Sequence, residues 1–234
     1  MRVLGLDSAT RVAGVALVDE NNLIAELFFN TPQDHSRRLL PLLDELLSRA
    51  GLTFDDLDGL AVSIGPGSFT GLRIGLATAK GLAQVTGKPL VGIPSLDALA
   101  SNVWGWPGLI CPVINARRQE VYAAVYCWQE GKLCRLTSYQ AIAPAALVGQ
   151  LASFSGPVSF LGDAVGLYRD VWQQLGSRAH FVELSNNLPR AAQVACLGLK
   201  QLRAGRTDDP SRIKLLYLRP SAAEANLLTS RSSP

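Results

Sequence analysis

The residues whose types and spacing suit phosphate chemistry fall in three places. Asp7-Ser8-Ala9-Thr10 closes the first apolar run. An acid there can orient a metal-bound nucleotide, and the small polar residues can donate to phosphate; a hydrogen-bonded turn uses the same letters. Gly65-Pro66-Gly67-Ser68-Phe69-Thr70-Gly71-Leu72-Arg73-Ile74-Gly75 joins a compact apolar run to a helical pattern. Its glycines permit close backbone approach, and a helix N-terminus favours anions. No Gly-Lys-Ser/Thr follows, so it is not a Walker A loop, and glycines at 65, 67 and 71 do not fit the dinucleotide fingerprint. Gly162-Asp163 is the third place. The candidates for facing a nucleotide or phosphate are therefore Asp7, Ser8, Gly65, Gly67, Gly162 and Asp163.

Other chemistry finds little support. The two histidines, His35 and His180, have no cysteine or second histidine near them. Cys111, Cys127, Cys134 and Cys196 form no Cys-x-x-Cys pair and read as reduced core cysteines. A nucleophile elbow Gly-x-Ser-x-Gly is absent, with Thr70 in the place of its second glycine. No metal site is expected.

The 234 residues are 48% hydrophobic and 18% charged, with net charge +3. That is globular composition, and the charge is too weak to argue nucleic-acid binding. No apolar run approaches the ~18 residues of a membrane span. The first residues open on a strand pattern, with no basic stretch followed by an apolar one, so export is not expected. A cytoplasmic protein without membrane contact is expected.

The elements that must position these groups follow from periodicity. Strands are expected at 2–6, 12–18 and 23–29, with turn residues Asp19 to Asn22. A helix capped by Asp34 or Ser36 runs to Ala50. A strand at 60–64, a helix at 70–85, a strand at 90–93 and a helix at 95–103 complete one unit. After Trp104-Gly105-Trp106-Pro107-Gly108 the order restarts: strands at 109–114, 121–128 and 133–137, a helix at 144–151, a strand at 158–161, a helix from Asp163 to Leu175 and a last helix at 190–203. This duplication predicts an α/β, two-lobed actin-like, sugar-kinase or Hsp70 architecture (a duplicated ribonuclease H-like fold). The lobes are expected at 1–104 and 105–234, the last segment packing back on the first lobe.

Two helices carry more apolar or small surface than one sheet face needs. Leu39, Leu43, Leu46 and Ala50 form one stripe, flanked by Leu40, Leu42 and Leu47. Gly71, Gly75, Ala79 and Ala83 recur every four residues, with Ala77 and Gly81 beside them. Each interior glycine costs about 0.8–1 kcal/mol relative to alanine. Packing on the protein's own sheet and docking of a partner helix are both open readings.

The run from Gly65 to Gly75, continued by Leu76-Ala77-Thr78-Ala79-Lys80-Gly81-Leu82-Ala83, closely resembles the central motif of the bacterial TsaB (YeaZ) family. Val3 to Ser8, His35-Ser36 with Leu39-Leu40-Pro41, Asn115-Ala116-Arg117-Arg118-Gln119-Glu120-Val121-Tyr122, Gly162-Asp163 and Tyr217-Leu218-Arg219-Pro220 also fit. Asn115 departs from the Asp common at that place, and an amide keeps the shape but not the charge. The resemblance implies an actin-like dimerisation subunit without catalytic residues. Its partner would be a TsaD-like catalytic paralogue, which places threonylcarbamoyl on the adenosine beside the anticodon of tRNAs reading ANN codons. A TsaE-like ATPase joins, and tRNA is met through the complex. The docking surface by resemblance is the first two helices, with Leu39, Leu43, Leu46, Gly71, Gly75 and Ala79. The catalytic paralogue's two histidines have no counterpart in Gly92 to Ala100, so no cofactor is expected to bind this chain tightly. ATP or ADP at the complex interface and a homodimer of the chain alone stay open. The competing classes are an actin-like-fold peptidase and a self-standing small ATPase.

Overall fold

The computed structural model describes residues 1–30 and 39–219. His35 and its neighbours Asp34 and Ser36, with Pro220, lie outside the described residues.

The first sheet has five strands: β1 (Val3–Asp7), β2 (Val12–Val18), β3 (Leu23–Asn30), β4 (Gly59–Gly65) and β5 (Leu90–Pro94). Their order is β3-β2-β1-β4-β5. The first three form an antiparallel meander, and β4 and β5 add in parallel. The β2–β3 turn is fixed by Asp19, whose Oδ1 accepts the amides of Asn21 and Asn22 at 2.8 and 2.7 Å.

Helices α1 (Leu39–Ala50) and α2 (Phe69–Thr86) cover one face of this sheet. Alternation along the strands decides which residues they meet: Leu4, Leu6, Leu60 and Val62 point to them. Ser68 caps α2 by accepting the Gly71 amide, and Gly87 ends it in the left-handed conformation.

The second sheet repeats the plan. Its strands are β6 (Leu109–Arg117), β7 (Glu120–Ala123), β8 (Tyr126–Gln129), β9 (Lys132–Arg135), β10 (Gln140–Ile142), β11 (Val158–Leu161) and β12 (Ala179–Phe181). The order β10-β7-β6-β11-β12 is the first sheet's order again, with β8 pairing β6 and β9. The single strand expected over 121–128 is split into β7 and β8. Both keep one register against β6, and the gap falls opposite Pro112, which has no amide to donate. Val125 instead donates to Thr137 Oγ1 at 2.9 Å and accepts the Leu136 amide at 2.7 Å. α4 (Pro144–Ala152) packs under this sheet with Phe160 and Trp172. The helix expected from Asp163 to Leu175 is a series of short turns with one regular piece, α5 (Arg169–Trp172). Tyr168, at φ −128° and ψ 30°, breaks it.

Two further helices cross between the lobes. α3 (Ser95–Ala100) ends the first set of elements but packs on Ile110, Ile114 and Tyr126 of the second sheet. α6 (Ala191–Arg203) ends the second set but covers Val3, Val18, Ala61 and Val91 of the first sheet. Each crossing helix is tied by an acid. Glu26 of β3 pairs with Arg190 and accepts the Ala192 amide at 3.0 Å, at the N-terminus of α6. Asp97 of α3 accepts two phenols of the second lobe, Tyr126 of β8 at 2.7 Å and Tyr139, just before β10, at 2.8 Å. Burial, together with Asp97, pushes both tyrosines up, so they stay donors. Among the described residues no helix is long and apolar enough to cross a membrane.

Candidate functional site

The six residues at issue lie at the ends of corresponding strands in the two lobes. Asp7 ends β1 and Gly65 ends β4; Gly162 and Asp163 follow β11, and Asn115 lies near the end of β6. The two sets face each other closely enough that Arg11 of the first lobe acts on the Asp163 carboxyl. Within each lobe the parallel strands therefore bring their phosphate candidates to one edge of the sheet.

The first-lobe turn is closed on its own chain. Asp7 is 1% exposed. Its Oδ1 accepts the Ala9 amide at 2.9 Å and the Ser63 hydroxyl at 3.1 Å. Its Oδ2 is buried with no hydrogen-bond partner. Burial raises the Asp7 carboxyl to about 6; the Ala9 and Ser63 bonds pull it down, and Glu26 pushes it up further. The Ser8 hydroxyl donates to Gly71 O at 2.9 Å. The Gly65 amide donates to Ser95 Oγ at 3.1 Å, and the Ser68 amide to Ala9 O at 2.6 Å.

Gly67 is a packing glycine. A methyl group there would overlap the Ala9 carbonyl. A methyl group on Gly65 would stand 2.8 Å from the Leu216 carbonyl. The glycines therefore admit the protein's own backbone, and the donors named above are already taken within the chain.

The second-lobe turn uses the same device. Gly162 has φ 115°, beside 107° at Gly65. A methyl group on Gly162 would overlap the Val113 carbonyl. The Gly162 amide donates to Asn187 Oδ1 at 2.7 Å. Asn115 Oδ1 accepts the Arg117 amide at 2.9 Å, two residues on, as Asp7 does with Ala9. The departure at Asn115 thus leaves this bond in place, because an amide oxygen accepts as a carboxylate oxygen does. The acid of this lobe is Asp163, which takes the Asn115 amide at 2.8 Å. Burial raises the Asp163 carboxyl; the Asn115 amide, Arg11 and Arg117 pull it back.

The docking residues inferred from the sequence need correction. Leu39, Leu43 and Leu46 are 1–2% exposed, Ala79 is fully buried, and Gly71 and Gly75 are buried. They fill the first lobe's own core. A methyl group on Gly75 would overlap Ser8 Oγ. The small-residue stripe lets α2 approach β1 and β4, and within this chain all six residues pack internally. The outward surface of the two helices is different. It carries Leu40 at 54% and Val85 at 87% exposure, with Arg73, Ala77 and Gly81. Gly81 has open space beside it.

Sequence reasoning missed one constellation. The segment from Ile213 to Arg219 crosses the glycine-rich turn. Leu216 donates to Ile64 O at 2.8 Å, Tyr217 meets Phe69 at 5.3 Å between rings, and Arg73 donates to Tyr217 Oη at 3.2 Å. Arg219 pairs with Glu120 of the second lobe. Glu120 and Arg219 both stand in the motif stretches, but nothing in either stretch names the other as partner. Among the described residues, no three His, Cys, Asp or Glu side chains gather as a metal cage.

Residues 29–227 match the family model described as TsaD, tRNA N6-adenosine threonylcarbamoyltransferase. Over 232 residues the chain is 32% identical to the tRNA threonylcarbamoyladenosine biosynthesis protein TsaB of Bacillus subtilis (strain 168), across 99% of this chain and 100% of that protein. The chain belongs to the bacterial TsaB (YeaZ) family. YeaZ from Pseudomonas aeruginosa superposes with a TM-score of 0.78 at 26% identity, over 93% of this chain and 99% of that one. The ROK hexokinase of Thermus thermophilus shares the fold at TM-score 0.51 and 15% identity, over 86% of this chain and all of the other. The actin-like, sugar-kinase architecture expected from the duplicated pattern is therefore the fold of this TsaB-family chain.

Proposed function

We propose that this chain is a non-catalytic partner subunit in the formation of threonylcarbamoyladenosine in tRNA. It docks on a TsaD-like catalytic subunit, a TsaE-like ATPase joins the assembly, and tRNA is met through the complex in the cytoplasm. Family membership supports the pathway. The observation that carries the non-catalytic part is the closure of the glycine-rich turn on its own chain. Ser8, Gly65 and Ser68 direct their donors inward, and the Leu216 carbonyl lies beside Gly65. The helix at the stretch without histidines is likewise committed, through Asp97, to holding the two lobes together. No cofactor binds this chain tightly on this reading, and ATP or ADP is held where the subunits meet.

The docking surface is the outward side of α1 and α2, with Leu40, Ala77, Gly81 and Val85. Ala77 and Gly81 admit a close partner helix, and Leu40 and Val85 supply apolar anchors. Without the partner, the same surface pairs two copies of this chain.

Gly81→Leu tests this cleanly, because the space beside Gly81 is open and leucine favours a helix more than glycine does. The variant should melt no lower than wild type. Its affinity for the TsaD-like subunit should fall about ten- to a hundredfold, since overpacking a tight contact costs on the order of 1–3 kcal/mol. Threonylcarbamoyl transfer to tRNA by the reconstituted subunits should fall with it. Wild-type pairing by this variant would remove the docking surface. Transfer by this chain alone, at a rate that Asp7→Ala abolishes, would remove the non-catalytic reading.

A further inference from the structure

We propose that Cys127 and Cys134 are a modification site: a cross-strand dithiol that closes into a disulfide by exchange with a low-molecular-mass disulfide such as oxidised glutathione. β8 and β9 pair antiparallel, and the register sets Cys127 directly opposite Cys134. Opposite residues of an antiparallel ladder share one face, with Cα atoms about 4.5–5.5 Å apart. A disulfide spans Cα separations of about 4.4–6.8 Å, so the strands need not part to form it.

The register cannot drift. Glu130 and Gly131 close the hairpin as a two-residue turn with φ of 49° and 73°, the turn that matches the twist of the strands. Both thiols are free and half-buried, whereas Cys111 is buried in the second lobe's core. Burial raises the Cys127 thiol, and the neighbouring Cys134 raises it further. The reactive species is the thiolate, so exchange runs faster as pH rises.

The chemistry balances. One cysteine thiolate attacks a sulfur of glutathione disulfide, giving a mixed disulfide and one glutathione thiolate. The second cysteine thiolate attacks the cysteine sulfur of that mixed disulfide and expels the second glutathione. Two cysteine thiols are oxidised to one disulfide, and one glutathione disulfide is reduced to two thiols. The half-buried bridge remains within reach of small thiols, so the same exchange run in reverse reopens it.

The hairpin is not a free appendage. Tyr126 and Trp128 flank Cys127, and their polar atoms hold Asp97 of α3 and the Val103 carbonyl, the latter at 2.8 Å. A bridge at Cys127 therefore stiffens the strand pair that anchors the lobe boundary.

The test uses the full-length reduced protein and oxidised glutathione. Titratable thiols should fall from four to two, and the intact mass should drop by two hydrogens with no glutathione attached. Peptide mapping should join Cys127 to Cys134, and dithiothreitol should restore all four thiols. The rate should fall about tenfold from pH 8 to pH 7. Cys127→Ser and Cys134→Ser should each end as a single glutathione adduct. Four thiols that stay titratable, glutathione left on both cysteines without a link, or a link between two chains would each overturn the proposal.

Discussion

The two lobes close corresponding turns with the same backbone device but seat their acid on different strands. In the first lobe the acid is Asp7 at the end of β1, and in the second it is Asp163 after β11. Asn115 occupies a place like that of Asp7 and makes the same bond, two residues ahead, without a charge. The bond thus needs an acceptor oxygen but no carboxylate. Asp7 retains a charge that its turn does not require, and its second oxygen has no partner.

The largest effect should come from breaking the device itself. Gly67→Ala and Gly162→Ala each drive a methyl group into a backbone carbonyl, Ala9 in one lobe and Val113 in the other. Gly162 also has a φ of 115°, which an alanine resists. Each should cost more than ~3 kcal/mol in urea unfolding, or prevent soluble expression. If one variant is tolerated, the two turns are not equivalent.

Asp7→Asn should sharpen the comparison in the opposite direction. A buried carboxyl raised from 3.8 to about 6 binds more protons folded than unfolded between those values. Its contribution to stability is therefore full below about pH 4 and is lost as pH rises through about 6. At pH 7 the variant should be more stable than wild type by on the order of 1–3 kcal/mol, and the gain should vanish near pH 4. Chemical denaturation at the two pH values measures it. A loss at pH 7 would mean that the Asp7 charge has a stabilising partner after all.

The smallest effect is expected at Asn115→Asp. It adds a carboxylate beside Asp163, already raised by burial, and next to Arg117. The half-exposed site screens the charge, so the loss at pH 7 should stay under ~1 kcal/mol and shrink on acidification. Thermal melting at pH 7 and pH 5 is sufficient to see it.

The sequence displayed the frame of this molecule better than its contacts. Short apolar and β-branched runs bounded by turn residues placed β1 to β5, and the restart after Trp104 exposed the duplication, because both are read from neighbouring residues. The split of 121–128 was in principle visible, since Pro112 removes one amide from the strand it faces; seeing it required the register. The stripe of Gly71, Gly75 and Ala79 announced a close approach but not what approaches. Ser8 and Val62, the neighbours that decide it, are far away in sequence. The Glu120–Arg219 pair joins residues 99 positions apart, beyond any local pattern.

The exchange of crossing helices sets an order on synthesis. The first sheet is complete when Pro94 has been made, but the helix that covers its Val3, Ala61 and Val91 side ends only at Arg203. At about 5–20 residues per second, a ribosome takes on the order of 5–20 s over the intervening ~100 residues. For that interval the nascent first lobe holds an apolar sheet face open to its surroundings. Chaperone occupancy on stalled chains should therefore peak between the release of β5 and the release of α6.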